Sequence, residues 1–98
     1  MTEDLKQARL NRFIDMLPQL TANHKEADSA HQAVLASMTK MGNYDNPGAL
    51  GGALLRAGEN VDEAWAELMR VKEVISYIQD TPADDLTELS IADKYAQS

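Results

Sequence analysis

The sequence predicts an all-α fold: an antiparallel helical hairpin or small helical bundle with a short C-terminal helix. Three observations carry that expectation. Residues Leu10, Phe13, Leu17, Leu20, His24, Ala27, His31, Val34, Met38 and Met41 follow one another at alternating steps of three and four. Leu50, Leu54, Ala57, Val61, Ala64, Leu68, Val71, Ile75 and Ile78 do the same in the second half. Such spacing lays a heptad-like seam along a helix, and two seams joined by a turn describe a hairpin. Finally, five glycines and three prolines are too few for the many tight turns of a β-rich fold, and an aromatic share of 5% leaves Ala, Leu, Val, Ile and Met to build the core.

Thr2 is the expected N-cap of the first helix, with Glu3 and Asp4 in the first turn where the helix dipole favours negative charge. Pro18 interrupts the pattern that follows. A proline inside a helix removes a backbone hydrogen bond and costs about 3 kcal/mol, so the helix is expected to kink there or to restart closely and run on to Met41. Lys40 and Gly42 form a conventional stop. The hairpin turn is expected at about 42–48, with Asn46 as the next cap and Pro47 at the first helical position.

Gly51 and Gly52 each weaken the return helix by about 1 kcal/mol relative to alanine. Gly58 is expected to end it, and Asn60-Val61-Asp62-Glu63 reads as a capping box that starts another helix over about 61–79. Along that helix Glu63 and Glu67 repel, and Arg70 is placed to pair with Glu73. Thr81-Pro82-Ala83-Asp84 is a further cap-plus-proline start, and Leu86, Leu89 and Ala92 give the last helix a weaker apolar face. The organisation expected is therefore a hairpin or bundle core over 1–80, broken at about 58–60, and an acidic C-terminal helix or tail over 81–98.

With 98 residues and 44% apolar content, the chain is one folded domain near the lower limit for a full core. It has no cysteine, which excludes disulfides and thiolate metal sites. The acidic start lacks the basic region and apolar run of a secretory signal, and no apolar stretch is long enough to cross a membrane. A cytoplasmic protein is expected, with signal-free specialised secretion also compatible. The net charge of −7 is uneven: residues 1–59 hold seven acids and six bases, residues 60–98 nine acids and three bases. Direct nucleic-acid binding and anionic membrane binding are disfavoured by that balance.

No catalytic, cofactor-binding or metal site is expected. His24 and His31 lie on one seam seven residues apart, but the second half has no histidine to complete a carboxylate–histidine metal bundle. Ala30-His31 invites comparison with histidine phosphotransfer bundles, yet Gln32-Ala33-Val34-Leu35 lacks their lysine and glycine. Gly48, Gly51 and Gly52 are not followed by the Lys-Ser/Thr of a phosphate loop. The outline of a cysteine-free hairpin resembles that of small secretion-system proteins. Asp45-Asn46-Pro47 is loosely similar to the Asp-Pro turn of type III needle subunits, whereas the Trp-x-Gly turn of another secreted hairpin class is absent.

Two helices share only one seam, so Ile14, Leu35, Leu55, Trp65, Met69 and Val74 widen the apolar stripe beyond what a lone hairpin covers. The expectation is a non-enzymatic helical interaction module: an adaptor, an assembly or secretion partner, or a small inhibitor. A homo-oligomer, most simply a dimer forming a four-helix bundle, or a protein partner with a basic surface would cover the surplus. The alternative is an acidic decoy that blocks a nucleic-acid-binding protein. Candidate contact residues are Trp65, Leu68, Met69, Asp84, Asp85, Leu86, Glu88 and Leu89, with Trp65 also expected to pack against the facing helix.

Overall fold

The computed structural model describes residues 1–41 and 47–97, with the backbone alone for 39–41 and 47–50. It is all-α, with no strand among the described residues. Among the described residues four α-helices follow in order: α1 (Glu3–Ile14), α2 (Leu17–Met41), α3 (Pro47–Asp80) and α4 (Glu88–Gln97), with one 3₁₀ turn, Ala83–Asp85, ahead of α4. The turn expected at about 42–48 falls largely on 42–46, outside the described residues.

Local chemistry explains most boundaries. The Thr2 hydroxyl accepts the Leu5 amide at 3.1 Å and caps α1. Four residues before Pro18, where the proline ring would strike a helical carbonyl, lies Ile14, the last residue of α1. Two turn residues follow, and α2 restarts at Leu17, so Pro18 sits in a first turn that needs no amide from it. α3 begins at Pro47, where the fixed proline φ favours helix entry.

Two expected boundaries are corrected. α3 runs without a break through Gly58 and Asn60, so neither a stop at 58–60 nor a capping box at Asn60 exists. Gly58 lies against α2, where an added Cβ would stand 3.9 Å from His31 Nε2. The packed neighbour and the helix on either side carry the chain through a residue that alone would weaken it. Likewise Thr81-Pro82-Ala83-Asp84 does not start the C-terminal helix. Only one 3₁₀ turn forms before Leu86 becomes extended (φ −92, ψ 137), which sends its side chain into the core. Thr87 then starts α4 by a reciprocal pair: Ser90 N–H donates to Thr87 Oγ1 at 2.9 Å, and Thr87 N–H to Ser90 Oγ at 3.0 Å.

α3 is the spine. His24 of α2 rests on Trp65 and His31 faces Gly58, so numbers rise along α2 as they fall along the first two-thirds of α3. The last third of α3 is covered by α1, the 3₁₀ turn and α4. There Leu10, Val71, Val74, Ile75, Ile78, Leu86 and Ile91 form the core, with Phe13, Met16, Leu17, Leu20, Tyr77 and Tyr95 packed against it. Val71, Val74, Ile78 and Leu86 are fully buried. Polar ties close this end: Lys6 Nζ donates to the Thr81 carbonyl at 2.8 Å, and Arg9 pairs with Glu88 at 2.7 Å. The Met1 ammonium donates to the carbonyls of Ala83 and Leu86.

Away from that end burial is thin. Leu17, Leu20, His24, Ala27, His31, Val34 and Met38 of α2 are half-buried, and no described α2 side chain is fully buried. The overall extents are 62 × 21 × 14 Å and the radius of gyration is 19.1 Å. A compact domain of this length has a radius of about 13 Å.

Candidate interaction surface

The expected contact residues divide between two segments of the chain. Trp65 and Met69 lie on the middle of α3, whereas Asp84, Asp85, Leu86, Glu88 and Leu89 belong to the segment that follows it and packs back on its last third. They do not form one site. Two of them belong to the core: Leu68 is 4% exposed and Leu86 is fully buried, so neither is available to a partner. Both are apolar residues on the inner side of their segments, and Leu86 packs in the cluster that holds Val71 and Ile78.

At the closed end, Asp84 and Asp85 are exposed on the 3₁₀ turn, Leu89 is 70% exposed, and Glu88 is held by Arg9. A small polar cluster ties α4 to α3. Tyr95 donates to Glu67, Arg70 reaches the other Glu67 oxygen at 3.4 Å, and its guanidinium lies 5.3 Å from the Tyr95 ring centre. Arg70 was expected to pair with Glu73; the ring from α4 draws it back toward Glu67 instead. Bonding to the Glu67 carboxylate, then burial, pushes the Tyr95 hydroxyl above the ordinary tyrosine range.

On the arm formed by α2 and the first part of α3, Trp65 meets the facing helix at His24 as expected, but it is 50% exposed and is not a core residue. One face of its indole rests on His24, with ring centres 5.2 Å apart, and the rest meets solvent. The reason lies in the position: Trp65 falls beside the inward-facing residues Ala64 and Leu68 and not among them. Leu55 shares its side of α3 and is 69% exposed.

Between His24 and His31 on α2 stands Asp28, and between Gly58 and Trp65 on α3 stands Asp62. Because His24 meets Trp65 and His31 meets Gly58, the two exposed aspartates share one flank of the arm at the same height. Among the described residues neither has an ion pair. Sequence reading offers Asp28 only as a carboxylate near His31 and Asp62 only as part of a capping box, although the repeats 24-28-31-35 and 55-58-62-65-69 keep the same three-four step beside the main seam. The opposite flank is a shallow groove of about 550 Å³ floored by Ala27, Ala30, Ala53 and Ala57, with both an acid, Glu26, and a base, Arg56, on its walls.

Among the described residues no group of three His, Asp or Glu side chains is placed to hold a metal ion. No described helix is long and apolar enough to cross a membrane. No family model matches this chain, and neither does any curated protein or solved structure.

Proposed function

We propose that this chain is a non-enzymatic helical protein–protein interaction module, an antiparallel hairpin with heptad-like seams whose far arm is completed by association. The observation that carries the reading is the state of α2: a helix of 25 residues without one fully buried side chain among those described. Surface area points the same way. The chain exposes 6635 Å², against about 5,500 Å² for a compact protein of its size. The surplus, about 1,100 Å², is of the order that one partner gives to a standard protein interface, about 800 Å². A second copy or a different protein would cover it.

A photo-crosslinking residue at Leu55 or Trp65, compared with one at the exposed Asp93, tests the reading in the cells that make the protein. A discrete protein adduct from the arm positions and not from Asp93 is expected. Identical patterns from all three positions would contradict it.

The acidic-decoy reading rests on a different observation, the exposed carboxylates Asp80, Asp84 and Asp85 in a C-terminal stretch of nine acids against three bases. Capture of a basic nucleic-acid-binding protein, lost on substituting Asp84 and Asp85 by Asn and weakened by salt, would favour it.

A further inference from the structure

We propose that the Trp65 flank of the arm is a docking site for an amphipathic helix carrying a basic residue between two apolar anchors. This deepens the interaction-module reading and rests on it. The flank has an ordered layout. Leu55 marks one end, Trp65 on its His24 bed marks the other, and Asp28 and Asp62 stand between them. Leu55 and Trp65 are ten residues apart on one helix, about 15 Å. Apolar side chains about three turns apart on a partner helix would therefore reach both ends.

Charge decides the occupant. No lysine or arginine occurs among residues 24, 28, 31 and 35 of α2 or 55, 58, 62, 65 and 69 of α3, whereas the flank carries two carboxylates without ion-pair partners among the described residues. A second copy laid face to face on the same flank would bring four aspartates together, and like charges at an interface suppress pairing. An arginine or lysine delivered to the middle instead completes the acidic pair, and arginine gains further from the adjacent indole face. The partner that fits is a basic amphipathic helix, received in the manner of a helix lying across an exposed apolar stripe.

Trp65 is the only tryptophan in the chain, so its emission reports occupancy directly. The test titrates the full chain with a synthetic Ala/Gln-based helical peptide bearing leucines about three turns apart and two arginines midway. A saturable shift of Trp65 emission to shorter wavelength is expected. Asp28→Asn with Asp62→Asn should weaken binding about tenfold, because charge-assisted bonds are lost. Both positions are exposed on helices, and circular dichroism of the variant checks that the fold is kept.

Unchanged affinity in the double variant would overturn the proposal, as would a silent tryptophan up to millimolar peptide. Light scattering under the same conditions separates the two levels of the reading. A silent tryptophan with twice the monomer mass overturns the basic helix while the interaction module stands, closed by a second copy. A silent tryptophan in a monomer whose arm amides are as protected as its core removes both.

Discussion

The two ends of α3 belong to one helix but meet different neighbours. Around Val71–Ile78 three other segments converge, and four side chains lose all contact with solvent. Around Gly51–Trp65 only α2 is present, and Ala57 is the one buried apolar residue described on that stretch. The composition of α3 changes to match. The apolar residues of its C-terminal third are Met, Val, Ile and Tyr, whereas its first half holds Gly48, Gly51, Gly52 and Gly58 among alanines and leucines. Glycine costs a helix about 1 kcal/mol at each place, so the stretch with the least burial also has the weakest intrinsic helix. Stability is concentrated at one end, and the uncovered surface at the other.

The contrast breaks most readily at the closed end. Ile78→Ala should cost about 2–5 kcal/mol in urea unfolding, since it opens a cavity in a site with no solvent access. Leu86→Ala should cost a similar amount even though Leu86 lies in the C-terminal segment, because it is part of the same core. Val34→Ala on the arm should cost less, under about 1 kcal/mol, since the side chain is only partly buried. Equal losses at Ile78 and Val34 would mean that the arm holds a core of its own.

Two smaller effects sharpen the comparison. Gly51→Ala should raise stability by up to about 1 kcal/mol, because an added Cβ at that position meets nothing within 4 Å. A lower melting temperature for this variant would show that the glycine is required by a close neighbour. At the closed end, Tyr95 is kept protonated in the fold by Glu67. Its raised folded value means that this contribution is complete below the ordinary tyrosine pKa of about 10 and is lost as pH rises through the folded value. Tyr95→Phe should remove that alkaline loss, seen as a flatter stability curve above about pH 10. Arg9→Ala should cost least, under about 0.5 kcal/mol, because the pair with Glu88 is largely solvated.

Much of the fold was legible where local chemistry decides it. The Thr2 cap and the entry of α3 at Pro47 each depend on a residue and its near neighbours, and Pro18 marks an interruption while leaving kink and restart open. What was not legible depends on residues far apart in the chain. Gly58 reads as a stop until His31 is seen beside it. Leu86 reads as surface until α1 and α3 are seen around it, and Arg70 reads as Glu73's partner until Tyr95 arrives from α4. In the candidate site, Trp65 and Leu89 were named and are exposed. Asp28 reads as a carboxylate near His31 and Asp62 as part of a capping box, and that they share a flank is legible only when the register of α2 against α3 is known.

The most direct test of a closed end and an open arm is hydrogen exchange followed amide by amide in the free chain. Amides of residues 71–78 should share the slowest rate, set by global unfolding, while those of 24–38 and 51–58 should exchange at least about a hundredfold faster through local opening. Equal protection along the whole of α3 would contradict the account, because the arm would then be as complete without a partner as the core.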